Sequence, residues 1–194
     1  MPRQKITKEM IVEAAFELVR DGGMEQVLVK NIAEKLGCSV QPIYSYCSNM
    51  EGLKRDVTLR IAEFFQKYVN EHVDKADLFA STGKLYLKLS REETNLFQMY
   101  FLNKRSELEI HSLEELYRTQ CNGKITEYIA QKYDLSLEAA KEMHLNMVIY
   151  NQGVASMSIV SNSQIPLEEM EKQLEQAFDA FLEQAKKQSD RRKK

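Results

Sequence analysis

Leu28-Val29-Lys30-Asn31-Ile32-Ala33-Glu34-Lys35-Leu36-Gly37-Cys38-Ser39-Val40-Gln41-Pro42-Ile43-Tyr44-Ser45-Tyr46-Cys47 reads as two short helices joined by a turn. Val29 to Leu36 keeps Ile32, Ala33 and Leu36 at helical spacing, and Gly37 follows as the residue that accepts φ > 0 past a helix end. Ser39 is placed to cap the next helix, expected from Val40 through Gln41, Pro42, Ile43, Tyr44 and Ser45 to Tyr46. Pro42 then falls at N3, where an amide has no intrahelical partner to lose. Ile32, Ala33, Leu36, Cys38 and Ile43 form an apolar set able to lock the pair at a steep angle. The outer face of the second helix of the pair is left with Val40, Gln41, Pro42, Tyr44 and Tyr46.

Caps place the other helices. Thr7 precedes a first helix with Ile11, Ala14, Ala15, Leu18 and Val19 on one stripe, stopped by Gly22-Gly23. A fourth helix is expected from Asn49 to about Glu71, and Asp77 opens another through Leu89. Ser90-Arg91-Glu92-Glu93 reads as a capping box for a helix to Leu102, and one longer helix is expected from Ser112 to Tyr133. Ser136 caps a helix to Val160, and Pro166 stands at N1 of a last one, with Glu168 and Glu169 in its first turn and Lys186 and Lys187 in its last. The expectation is an all-α chain of about nine helices. Residues 1-50 form an N-terminal three-helix domain, the fourth helix (50-71) links, 72-187 form a larger helical domain, and 188-194 are a basic tail.

Composition agrees with this reading. The 194 residues are 43% hydrophobic with only 7 Gly and 3 Pro, which suits long helices with a full core. Cys38, Cys47 and Cys121 have no metal-ligand or disulfide spacing and are expected to be reduced thiols. Nothing near Met1 resembles an apolar signal segment. The uncharged run Met143 to Leu167 carries Asn146, Asn151, Gln152, Ser156, Ser158 and Pro166, too polar to span a membrane, so a cytoplasmic location is expected with no membrane partner. Charge is uneven. Residues 1–60 hold nine Lys/Arg against eight Asp/Glu, 61–185 hold twelve against twenty, and 186–194 hold six against one. Arg3, Lys5 and Lys8 precede any acid, as in an arm that meets phosphate or a solubilising terminus.

A catalytic class finds no footing. His72, His111 and His144 lack metal spacing, the pairs Glu92-Glu93, Glu114-Glu115 and Glu168-Glu169 diverge by about 100° on a helix, and no phosphate-binding glycine loop is present. No enzyme activity, cofactor or metal is expected.

The quoted stretch resembles the tetracycline-repressor family. The similarity lies in Ile32-Ala33, Gly37-Cys38-Ser39, Ile43-Tyr44-Ser45-Tyr46-Cys47 and Asn49-Met50-Glu51-Gly52-Leu53, and it covers roughly residues 7 to 60. The resemblance implies a DNA-binding transcriptional regulator, a repressor released by a small molecule, whose first three helices hold a helix-turn-helix. Gln41 would face adenine in the major groove, and Val40 or Pro42 a thymine methyl. Tyr44 and Tyr46 would give hydroxyls to phosphate, with Lys5, Lys30, Thr7 and Ser39 completing the DNA-binding set. The chain departs from the family at Leu28 and Val29, where Ser or Thr is common, at Met50, commonly Lys, and at Cys47, commonly Phe.

The resemblance also implies a ligand-binding and dimerisation domain. Phe65, Tyr68, Tyr86, Phe97, Tyr100, Phe101, Tyr117, Met143, Met147 and Tyr150 are candidates to line a pocket, with Asn151 or Asn146 as polar anchor, for an uncharged or aromatic effector. A homodimer is expected through helices 136-160 and 166-187. Gly153, Ala155 and Ser156 would allow close approach there, and Met170, Leu174, Ala177, Phe178, Phe181, Leu182 and Ala185 form an apolar stripe. The alternative is a helical dimer of the same fold that serves as a ligand- or partner-binding module with weak or no operator binding.

Overall fold

A computed structural model describes residues 6–46, 50–103 and 109–193. Lys5, Cys47 and Asn49, and with them the expected arm contact and the first residue of the fourth helix, lie outside the described residues. The chain is all-α. The described helices are α1 (Lys8–Gly22), α2 (Val29–Lys35), α3 (Gln41–Tyr46), α4 (Met50–His72), α5 (Leu78–Glu92), α6 (Thr94–Phe97), α7 (Leu113–Gln120), α8 (Gly123–Tyr133), α9 (Leu137–Val160) and α10 (Leu167–Lys193). Short 3-10 turns cover Met24–Gln26 and Lys75–Asp77, and a π-helical turn, Gln98–Leu102, follows α6.

Two compact units emerge, and the first joins the chain up to Glu71 with Glu92–Asn103. The Thr7 hydroxyl caps α1 by accepting from the Met10 amide at 3.3 Å, and Gly23, at φ +88°, ends it. Leu53, Val57, Ile61 and Phe65 repeat every four residues along α4, so one face of that helix is buried. Ile11, Val19, Ile32 and Ile43 are also fully buried in this unit. Each such aliphatic side chain contributes roughly 1.5–3 kcal/mol of transfer free energy. Around this core, Arg60 donates two hydrogen bonds to Glu13 with its guanidinium over the Phe16 ring. The π-helical turn sets Tyr100 and Phe101 against Phe65, with ring centroids 5.7 and 5.6 Å away.

The second unit holds His72–Arg91 and the chain from Lys104 onward. There α9 packs mainly against α10 and α8. Ser136 caps α9, its side chain accepting from the Ala139 amide, and its own amide donates to the buried Ser189 hydroxyl on α10 at 2.9 Å. Arg91, in the last turn of α5, donates to the carbonyls of Ser163 and Ile165 and so holds the α9–α10 connection.

Several sequence expectations need correction. Ser90 opens no helix: it is buried inside α5, its hydroxyl donates to the Leu87 carbonyl, and the break comes at Glu93, whose φ and ψ are −125° and 47°. Burial of Leu87, Leu89 and Ser90 outweighs the local cap signal. The single helix expected over Ser112–Tyr133 is two, because Cys121 is extended and the Asn122 side chain accepts from the Lys124 amide, starting α8 afresh. α3 begins at Gln41, with the Val40 carbonyl taking the Tyr44 amide, so Val40 and not Ser39 occupies the cap position and Pro42 sits at N2. Pro166 likewise precedes its helix, its carbonyl accepting from Glu169 and Met170. α10 runs past the expected end at Lys187 to Lys193.

Candidate functional site

The turn between α2 and α3 is closed by backbone alone. The Gly37 amide donates to the Glu34 carbonyl at 3.1 Å and the Cys38 amide to the Ala33 carbonyl at 3.0 Å, with Gly37 at φ +63°, a Schellman closure. Asn31 ties the start of α2 to the Gln26 carbonyl, and Leu28, extended and without a side-chain cap, receives the Ile32 amide on its carbonyl. α3 is anchored by Ile43 alone, which is fully buried.

On the other side of α3 the expected set is accessible. Gln41, Tyr44, Ser45 and Tyr46 are exposed, Tyr44 to 62%, together with Ser39 and Val40, while Pro42 is half-buried. The Ser45 hydroxyl donates to the Gln41 backbone carbonyl at 3.0 Å, and Gln41 is exposed. Lys30 is exposed on α2. Thr7 is half-buried and occupied as the α1 cap, so its oxygen already has a partner.

Eight Lys and Arg are described in this unit, and five are ion-paired within it. The pairs are Lys8–Asp56 at 2.8 Å, Arg20–Glu93, Lys35–Glu17 at 2.9 Å, Arg60–Glu13 at 2.7 Å and Lys67–Glu71 at 3.9 Å. Lys30, Lys54 and Arg55 have no ion-pair partner among the described residues. Sequence reasoning overlooked Lys54 and Arg55, although Lys54 lies one helical turn after Met50. Lys8, one of the three cations that open the sequence, is compensated by Asp56.

The pocket candidates divide. Phe65, Phe97, Tyr100 and Phe101 form one aromatic cluster in the first unit, where Tyr68 also lies, donating to Glu92 at 3.1 Å. Tyr86, Tyr117, Met143, Met147, Tyr150 and Asn151 lie in the second. A groove of about 660 Å³ along α4, lined by Glu63, Gln66, Lys67 and Asn70, takes in only Tyr100 of these candidates. A second, of about 450 Å³ between α9 and α10, takes in none.

Within the second unit Tyr86, Tyr117 and Asn151 are bonded to other residues of that unit. Tyr86 bonds Gln152, and burial pushes its phenol well above its ordinary pKa. Tyr117 bonds Thr126, which bonds His144 Nδ1 at 2.8 Å, and burial lowers the His144 pKa to about 4. Asn151 is 8% exposed and gives Nδ2 to the Gly83 carbonyl at 3.4 Å, while its buried Oδ1 has no hydrogen-bond partner. Asn146 is half-buried. Among the described residues no His, Cys, Asp and Glu cluster could hold a metal ion, and Cys38 and Cys121 are free thiols.

The expected dimer stripe is also redistributed. Met170, Leu174 and Ala185 are buried within the single chain, Phe178 packs on Phe79 and Tyr133, and Ala155 is fully buried, while Ala177, Phe181 and Leu182 are half-buried. The uncovered apolar face lies on α9 instead, where Ile149, Met157 and Val160 are 44%, 73% and 83% exposed around an open Gly153. No described helix is long and apolar enough to cross a membrane. No protein-family model matches the chain, and no curated protein matches it.

Proposed function

We propose that this protein is a DNA-binding transcriptional regulator of the tetracycline-repressor kind, a repressor that acts as a cytoplasmic homodimer and is released by an uncharged or aromatic small molecule. The observation that carries the reading is α3 itself. It is a short helix held by one buried isoleucine and a glycine turn, and its solvent side presents Val40, Gln41, Tyr44 and Tyr46 with almost no internal commitments. An amide at Gln41 matches the donor and acceptor of adenine in the major groove, and the two tyrosine hydroxyls suit phosphate oxygens. Lys30, Lys54 and Arg55, without an ion-pair partner among the described residues, supply attraction to the duplex.

Dimerisation is supported by the apolar face of α9. The side chains of Ile149, Met157 and Val160 recur at helical spacing, with Gly153 between them, over a stretch free of charge, and such a stripe is best covered by its own copy. A dimer carries two copies of α3, one for each half-site of an operator.

A gel shift with the duplex upstream of the protein's own coding region, repeated across salt concentrations, tests the reading. Binding whose log K falls linearly with log salt, and Gln41→Ala that relaxes preference at one base pair per half-site at a cost of about 1–3 kcal/mol, are the expected results. No binding at low salt would transfer the fold to the alternative role, a ligand- or partner-binding helical dimer.

A further inference from the structure

Ion pairing leaves Lys54, like Lys30 and Arg55, without a carboxylate partner among the described residues. Lys8, Arg20, Lys35, Arg60 and Lys67 each have a carboxylate, but among the described residues the Lys54 ammonium has none, and even Glu51, three residues earlier on the same helix, forms no ion pair with it. Its backbone is fixed: the Lys54 carbonyl takes the Thr58 hydroxyl at 2.8 Å, and its neighbour Leu53 is 1% exposed. The helix under it is therefore held, while the charged end is solvated.

Position gives that charged end a direction. Residues four apart share a helix face, so Lys54 follows Met50, whereas Arg55 is turned about 100° further round. Side chains on a helix lean toward its N-terminus, so the Lys54 stem lies back over the turn that holds Met50. A four-carbon stem covers the roughly 5.4 Å of one turn, and the exposed Met50 offers apolar surface for it to lie along. The ammonium is thereby carried toward the end of α4 that follows α3 in the chain.

We propose that Lys54 is a phosphodiester-contact residue, its ammonium extended over Met50 onto the backbone of the duplex that α3 reads. This rests on the DNA-binding reading above. One contact per subunit makes two on a dimer, and each contributes about 0.9 to the slope of log K against log salt.

The test measures affinity across salt for the wild type, Lys54→Gln, Arg55→Gln and the double variant Met50→Lys/Lys54→Gln. The duplexes are the one upstream of the coding region and a scrambled one, and circular dichroism confirms that each variant is folded. Lys54→Gln should flatten the slope by about two units on both duplexes alike, since phosphate contacts carry no direct sequence information. Arg55→Gln should leave it nearly unchanged, and the double variant should recover the wild-type slope because the same face regains a cation. An unchanged slope in Lys54→Gln, or equal losses in Lys54→Gln and Arg55→Gln, would overturn the assignment while the regulator reading stood. A wild type that binds neither duplex would remove both.

Discussion

Gly37→Ala isolates the backbone cost of the turn on which α3 depends. Gly37 has φ +63°, and a Cβ built there meets nothing within 4 Å, so the substitution adds conformational strain without steric conflict. Holding an L-residue in the left-handed region costs roughly 1–2 kcal/mol, while alanine restricts the unfolded chain and returns about 0.4–1 kcal/mol. The net expectation is a loss of about 1 kcal/mol. Gly37→Asn should lose less, because asparagine tolerates this region better. Urea denaturation followed by circular dichroism gives the comparison, read as a shift in midpoint at unchanged m-value. A Gly37→Ala variant as stable as the wild type, or Asn and Ala variants losing equally, would refute the reasoning. So would a loss above about 3 kcal/mol, since the space around the Cβ leaves no steric term to supply it.

Three further outcomes are expected. His144 is 4% exposed and its pKa is lowered to about 4, below the ordinary 6.5, so the unfolded chain binds its proton more tightly. Its contribution is complete above pH 6.5 and is lost as pH falls toward 4, by up to about 3 kcal/mol, and His144→Phe should flatten that part of the stability–pH curve measured by denaturation. Glu93→Gln should lower stability by roughly 1–3 kcal/mol in thermal unfolding, because Glu93, 8% exposed, receives two hydrogen bonds from Arg20 and its loss leaves the guanidinium without its counter-charge. Met157→Glu places a charge in the middle of the exposed α9 stripe, and if the proposed dimer forms through that stripe, sedimentation should find a dimer for the wild type and the 22.6 kDa chain alone for the variant.

Helix existence was legible from sequence because its causes are local. The stripe Ile11, Ala15, Val19, the Thr7 and Ser136 caps, and the stop at Gly37 each act within one or two turns. The outer face of α3 was legible for the same reason, since burying Ile43 on a six-residue helix leaves Gln41 and Tyr44 few other directions.

Tertiary structure decided what local signals leave open or misstate. Ser90 carries a cap signal, yet burial of its surroundings keeps α5 intact to Glu92, and the Arg20 guanidinium draws the next residue, Glu93, into the first unit. The aromatic residues look alike in sequence, but Phe65 meets Phe101 while Tyr117 meets Thr126, each pairing set by elements distant along the chain or by a helix break. On α9 and α10 apolar periodicity shows that a face is buried without showing by what. Packing within the chain consumes Met170 and Leu174 and leaves Met157 and Val160 bare, because hydrophobic burial is non-directional and only the assembled core determines which apolar side chains remain in water.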